Sequence, residues 1–255
     1  MKVVEVPVIA REEIAEGIFC LSFASEEIGK NIKPGQFVNI RIGEGLQPLL
    51  RRPFSISRSD GPVLEIIFNV VGAGTRILAG KKKDDILDIL GPLGIPFGVD
   101  GEYETALIVA GGLGVAPFPF LTELLRAHSW RIETFLGARN AGQIAERFLE
   151  NVHVATDDGS RGFHGTVVDL LDHYLREHPP ERPKIFACGP TPMLRALTEY
   201  AIRTNIECEL SLEGEMACGI GICQGCPVER VRGPKRYALV CTEGPTFNCR
   251  DVQLN

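Results

Sequence analysis

Thr105-Ala106-Leu107-Ile108-Val109-Ala110-Gly111-Gly112-Leu113-Gly114-Val115-Ala116-Pro117 is the stretch on which the fold turns. Its apolar run lacks alternation, as expected of a strand covered on both faces. Glycines follow where a tight turn must form, and Pro117 suits the first turn of a helix. Strand, glycine turn and helix in that order open a nucleotide-binding βαβ unit, although the spacing is not the G-x-G-x-x-G fingerprint. Downstream the pattern repeats. Strands are expected at 131–136, 152–156 and 184–188, and helices at 117–127, 143–149, 167–178 and 193–205, which predicts an α/β doubly wound parallel sheet.

Upstream the text changes to short period-two runs broken by Gly and Pro, at 3–8, 18–24, 36–42, 54–58, 64–71 and 85–90. Such spacing predicts a small antiparallel β-barrel. After Leu212 regular structure gives way to a cysteine-rich loop and a hairpin-like tail. The expected organisation is therefore three units: a barrel at 1–100, the α/β unit at 101–212, and a small metal-binding domain at 213–255. No internal repeat interrupts it.

The 255 residues carry 27 Lys and Arg against 33 Asp and Glu, a net charge of −6 that argues against nucleic acid as a partner. The basic run Lys81-Lys82-Lys83 is balanced at once by Asp84-Asp85 and reads as a solvated turn. No apolar run reaches the length of a membrane span and the N-terminus lacks the shape of a signal peptide, so a cytoplasmic protein without a membrane partner is expected. Eight cysteines in such a chain point to cofactor chemistry before disulfides.

Four of them, Cys218, Cys223, Cys226 and Cys241, follow C-x4-C-x2-C with a fourth at longer range, the spacing of a [2Fe-2S] ligand loop. Glycines at 219, 221 and 225 let backbone amides crowd the sulfurs. Zinc is the alternative, but its ligands usually come as two short hooks. Cys20 reads as a packed small hydrophobe, the face of Cys208 is undecided, and Cys249 competes with Cys241 as fourth ligand. In Arg52-Pro53-Phe54-Ser55 a cation, an aromatic ring and a hydroxyl share one strand, with Arg52, Phe54 and Ile56 aimed at one face to hold a flavin and its pyrophosphate. Asn69-Val70-Val71-Gly72-Ala73-Gly74-Thr75 ends a strand in a glycine turn suited to an anion, or is a simple strand-to-helix turn. Cys188-Gly189-Pro190-Thr191-Pro192-Met193 closes the last parallel strand, where a small thiol can touch a nicotinamide. The five histidines fall in no motif.

These elements in this order resemble the ferredoxin-reductase-like flavoprotein family. That resemblance implies FAD held in the barrel by Arg52, Pro53, Phe54 and Ser55, with Asn69, Val70, Val71, Gly74 and Thr75. It implies NAD at Gly111, Gly112, Gly114 and Pro117, at a second loop over 156–160 that includes Asp158, and at Cys188, Gly189, Pro190 and Met193. Many relatives carry isoleucine or tyrosine where this chain has Phe54. The tail, Glu213-Gly214-Glu215-Met216-Ala217-Cys218 through Cys241-Thr242-Glu243-Gly244-Pro245-Thr246-Phe247, is similar to that of the electron-transfer subunits of B-type dihydroorotate dehydrogenases. There the cysteine before the acidic-Gly-Pro-x-Phe tail is the fourth ligand, which favours Cys241 over Cys249.

The resemblance further implies an FMN-containing dihydroorotate dehydrogenase catalytic subunit as partner, in a heterotetramer of two plus two, serving pyrimidine biosynthesis. Electrons would pass through [2Fe-2S] and FAD to NAD+, with no catalytic acid or base in this chain. Arg139 sits where a 2′-phosphate would be read, whereas the resemblance favours NAD. Small subunits of sulfide dehydrogenase, ferredoxin:NADP oxidoreductase or hydrogenase share the architecture, but tend to carry Asp-Gly-Thr-Gly-Met-Cys ahead of the cluster. A zinc-binding nucleotide-sensing interaction module and a self-contained reductase are the other readings.

Overall fold

The alternation upstream of residue 100 closes on itself. In the computed structural model, which describes residues 1–254 except Glu44, Leu46 and Ser129, β1 (Lys2–Ala15), β2 (Ile18–Ala24), β3 (Phe37–Arg41), β4 (Arg52–Asp60), β5 (Val63–Asn69) and β6 (Ile86–Leu93) form a closed barrel in the order β1-β2-β5-β4-β3-β6. Every neighbouring pair is antiparallel. Closure removes the unpaired strand edges. Inward residues such as Phe23, Val38, Ile40, Ile56, Ile66 and Ile89 fill the interior. Short helix α1 (Glu26–Gly29) is capped by Ser25, whose Oγ accepts from the Ile28 amide, and α2 (Ala73–Ala79) follows β5.

The apolar run at 105–111 is the central strand of a seven-stranded sheet. β7 (Thr105–Gly111) leads through a 3-10 turn at Gly112–Val115 into α3 (Phe118–Ala127) and β8 (Arg131–Ala138). β9 (Val152–Thr156), the short β10 (Phe163–His164), α4 (Val167–Glu177), β11 (Pro183–Cys188), α5 (Thr191–Thr204) and β12 (Glu207–Ser211) complete the unit. All seven residues of β7 are buried. One face of the sheet packs on α3 through Phe118, Leu121 and Leu125, and the other on α4 and α5 through Leu171, Leu194 and Leu197, so the sheet is doubly wound. The order β10-β9-β8-β7-β11-β12 places the chain's reversal between β7 and β11, and ligands bind at the carboxyl ends of strands at such a point.

Residues 143–149 do not form the expected helix. A single 3-10 turn at Ala141–Gln143 ends at Ile144, which is extended, and irregular chain follows in which Phe148 and Asn151 adopt positive φ of 61° and 45°. The Phe148 ring is held between the guanidinium groups of Arg58 and Arg147, 4.8 and 4.7 Å from its centroid. Apolar spacing there reflects Ile144 and Ala145 turning into the core rather than a helix face.

After β12 come the cysteine loop, β13 (Pro227–Arg230), β14 (Tyr237–Leu239), α6 (Val240–Glu243), β15 (Thr246–Asn248) and β16 (Val252–Gln253). β14, β13 and β16 make a three-stranded sheet, whereas β15 pairs antiparallel with β12 and extends the large sheet. The tail is thereby bound to the nucleotide unit rather than standing apart. It also ties to the chain leaving the barrel: the Ile95 amide donates to the Gly244 carbonyl at 2.6 Å, and Thr246 Oγ1 donates to the carbonyls of Ile95 and Pro96.

One buried cation fixes that chain further. The Lys184 side chain on β11, 2% exposed, reaches Glu207 and Glu209 of β12 at 2.7 and 2.9 Å and donates to the Gly98 carbonyl at 2.6 Å. The Gly98 amide in turn donates to Glu209 Oε2 at 2.8 Å, so both polar groups of this residue are held. Removing one partner of a buried ionic network leaves the other charge uncompensated. Lys184→Met is expected to lower the unfolding free energy by about 3 kcal/mol, read from urea denaturation; a loss near zero would show that Glu209 is solvated instead.

Candidate functional site

Two cavities meet at the carboxyl edge of the sheet. The first, of about 420 Å³, is lined by Arg52, Pro53, Phe54 and Ser55 of β4, by Asn69, Val71, Gly74 and Thr75, and by Phe37 of β3. Arg52 is anchored through Nη1, which donates to the carbonyls of Leu50 and Arg51. Phe54 reaches this wall, but most of its ring belongs to the barrel core, set edge-on to Phe68 at 5.8 Å. Ile56 is wholly buried and takes no part. Val70 does not line the cavity. In the glycine turn Thr75 Oγ1 accepts from the amides of Val71 and Gly72 and donates to the Gly72 carbonyl. The side chain therefore consumes two of the donors that spacing alone offered to an anion.

The second cavity, of about 740 Å³, is lined by Gly111, Gly112, Leu113, Pro190 and Met193, with Gly137, Arg139, Asp157 and Thr166 from the neighbouring strand ends. The remaining predicted residues shape it from behind. A Cβ on Gly114 would lie 2.2 Å from the Cys188 carbonyl oxygen, so only glycine lets this turn lie against the end of β11. Pro117 precedes the first turn of α3. Cys188 is buried, and burial pushes its thiol well up; nearby Glu213 adds to the shift. Gly189 packs on Met193 and Gly111. Asp158 faces away: its Oδ1 accepts from the Ser160 amide and hydroxyl at 2.9 and 2.6 Å, and those bonds hold its carboxyl below the usual range. The acids on the cavity wall are its neighbour Asp157 and Glu16.

Asn69, Val71 and Leu113 line both cavities. The far wall of the first is Ser211, Leu212, Glu213, Gly214 and Met216, the approach to the cysteine loop. Glu213, Gly214 and Met216 fall in the tail stretch that carries the resemblance, whereas Ser211 and Leu212 carry no motif.

In the loop, Cys226 and Cys241 are buried, Cys218 is half-buried and Cys223 is exposed. Amides are aimed at the sulfurs: those of Ile220 and Cys223 donate to Cys218 Sγ, and that of Gly225 to Cys223 Sγ, each at 3.4 Å. Desolvation pushes the Cys218 thiol up, but the amides of Cys223 and Ile220 outweigh it and bring the value down to about 7. Cys241 is pushed up to about 11 by burial and by its neighbour Cys226. Hydrogen bonds link the thiol of Cys218 to that of Cys223 and the thiol of Cys241 to that of Cys226, and Cys241 also feels the charge of Cys218. Among the described residues no three His, Cys, Asp or Glu side chains converge on one point. Amides directed at sulfur suit the thiolates of an iron–sulfur cluster. Cys249 lies elsewhere, with its amide on the Cys208 carbonyl and its thiol hydrogen-bonded to that of Cys208 in the core. Both cysteines left open by spacing are accounted for there.

The barrel, the doubly wound sheet and the cysteine loop define a ferredoxin-reductase-like oxidoreductase component with an appended iron–sulfur domain. Residues 213–253 match the iron–sulfur cluster binding domain of dihydroorotate dehydrogenase B. The electron transfer subunit of dihydroorotate dehydrogenase B (NAD(+)) from Desulforamulus reducens is 36% identical over 96% of each chain, and that of Bacillus cereus (strain Q1) 37% over 97% of each. The chain belongs to this family of electron-transfer subunits. A solved NADH-dependent reduced ferredoxin-NADP oxidoreductase superposes with a TM-score of 0.86 at 31% identity, covering 98% of this chain and 90% of that one. Phthalate dioxygenase reductase, at 15% identity and a TM-score of 0.65 over 91% and 87%, shares the fold.

Glu213 stands out on the shared wall. The residue is exposed where the cavity opens, and the protein packed near its carboxyl raises its pKa above the ordinary value by desolvation. An acid raised on folding contributes stability below its unfolded pKa and loses it as pH rises through the folded value. Glu213→Gln, neutral throughout, is therefore expected to melt above the parent at pH 8, with the gap closing towards pH 4. A gap in melting temperature that does not vary with pH would show that the carboxyl is ordinarily solvated.

Proposed function

We propose that this chain is the electron-transfer subunit of a cytoplasmic dihydroorotate dehydrogenase B, holding FAD in the first cavity, NAD in the second and a [2Fe-2S] cluster on Cys218, Cys223, Cys226 and Cys241. When bound, those groups supply the exchange between two-electron hydride transfer and one-electron transfer, which carries electrons from a catalytic subunit's flavin to NAD+. The observation that carries the reading is continuity. The two cavities share Asn69, Val71 and Leu113, and the first runs directly into the segment bearing Cys218. Within the three proposed units, 1–100, 101–212 and 213–255, each motif meets the next along one wall.

The protein's own part is to bind, orient and exclude water. Arg52 is held where a pyrophosphate can be met bidentately. Leu113 and Ala116 close the flavin cavity from the nucleotide side. Gly111 and Gly112 let a dinucleotide lie against the turn, and Met193 and Pro190 form an apolar floor. No side chain is required as a general acid or base, since the substrate chemistry belongs to the partner. That partner is the FMN-containing catalytic subunit, in an assembly of two plus two.

Cofactor choice is tested by stopped-flow reduction of the FAD-loaded chain. NADH is expected to reduce it at least tenfold faster than NADPH, although Arg139 lines the cavity; equal rates would overturn NAD. Docking is tested at Ile222, which projects from the loop between Cys218 and Cys223 and is 77% exposed. An apolar anchor there suits a desolvated contact close to the cluster. Ile222→Asp should weaken binding to the catalytic subunit by tenfold or more, about 1.4 kcal/mol, in titration calorimetry, with the visible spectrum unchanged. Unaltered affinity would move the docking face elsewhere.

A further inference from the structure

Strand β3 separates the two prosthetic-group sites, and its two faces differ in chemistry. Val38 and Ile40 point into the barrel and are fully buried there. Phe37 and Asn39 point the other way, yet both are buried too, because the cysteine loop covers them. Phe37 lines the first cavity and shares a core cluster with Leu93, Cys226 and Cys241. Asn39 is paired with Pro53 of the flavin strand and donates from Nδ2 to the Cys218 carbonyl at 3.4 Å.

The loop is shaped to this carboxamide. A Cβ on Gly219 would stand 2.1 Å from Asn39 Nδ2, and Gly219 has a φ of +72°. Only glycine allows the chain to lie down on the amide there. The arrangement leaves a cost unrelieved, for Asn39 Oδ1 is buried without a hydrogen-bond partner. An apolar residue of the same shape would avoid that cost. A strand of a closed barrel gains nothing from a half-satisfied carboxamide at this position, so what the group gains lies in its single bond, to Cys218.

We propose that Asn39 is a positioning residue for the iron–sulfur cluster: its Nδ2–H bond to the Cys218 carbonyl seats the loop so that the Ile220 and Cys223 amides meet Cys218 Sγ. This rests on the reading of the four cysteines as cluster ligands. Hydrogen bonds to cluster sulfurs set reduction potential, and the bond to the Cys218 carbonyl fixes the start of the turn from which the Ile220 and Cys223 amides reach Cys218 Sγ. Asn39 therefore holds the cluster's potential up from the barrel side while making no contact with iron.

The test is a redox titration of the loaded chain, following cluster and flavin by visible absorption and electron paramagnetic resonance. Asn39→Asp keeps the shape but places an acceptor, and when ionised a negative charge, against the Cys218 carbonyl. It is expected to shift the cluster's oxidised-to-reduced ratio at the parent midpoint about tenfold towards oxidised, equivalent to 59 mV for a one-electron couple. Asn39→Leu removes the donor and the orphan oxygen together. It should give a smaller shift in the same direction, altered g-values and undiminished thermal stability, with the flavin midpoint unchanged in both variants. Loss of the cluster from either variant with FAD and native circular dichroism retained also supports the positioning role. Parent-like cluster midpoints and g-values in both variants overturn it. A parent chain that binds FAD but takes up no iron and sulfide would instead defeat the reading of the cysteines.

Discussion

The Gly98 peptide sits where the barrel ends and the nucleotide-binding sheet begins, and the ionic clamp on it sets the geometry of everything else. Lys184 donates to its carbonyl, and Glu209 accepts from its amide. Because those side chains come from adjacent parallel strands, β11 and β12, the linker is held against the sheet by two charges that also satisfy each other. The aromatic rings of Tyr103 and Phe186 flank the ammonium, 5.5 and 5.2 Å from it. A buried charge tolerates little displacement, since any move that breaks one bond exposes an unpaired partner. The relative placement of barrel and sheet, and hence the wall shared by the two cavities, follows from that intolerance.

The second constraint is backbone contact at the switch point. Gly114 lies so close to the Cys188 carbonyl that the turn after β7 and the end of β11 form one surface. The third is the tail. Gly244, Pro245 and Thr246 bond to Ile95, Pro96 and Leu212, so the segment that carries Cys241 is fastened both to the barrel exit and to the approach of Cys218. A fourth cysteine distant in sequence is thereby brought towards the other three by hydrogen bonds to main-chain groups, of which only those from Thr246 Oγ1 need a particular side chain.

What could be read in the sequence was whatever depends on neighbours in the chain. The unbroken apolar run at 105–110, the glycine turn after it and the spacing of Cys218, Cys223 and Cys226 each announce a local conformation or a ligand bite. The helix expected at 143–149 failed because its apolar residues serve tertiary contacts, with Phe148 drawn out between two arginines. Spacing marks the loop at 156–160 but cannot tell which of its carboxylates lines the cavity, and there it is Asp157. Lys184, Glu209 and Asn39 are invisible in the sequence for a different reason. Each acts on a residue far along the chain, and a lysine or an asparagine inside a strand reads merely as a polar interruption.

That division explains where polar residues persist inside this protein. Asn39 and Lys184 are both fully enclosed and both sit on a boundary between units: barrel against cysteine loop, and linker against sheet. Within each unit the interior is mostly apolar, and a buried charge there such as Glu133 bonds to Arg131 and His153 of its own unit. At the boundaries hydrophobic contact alone would permit sliding, since it is proportional to area and has no direction. A directional bond to a main-chain group removes that freedom. In a protein whose sites must keep their separations for electrons to pass, buried polar groups are placed where they specify distance, at some cost in stability.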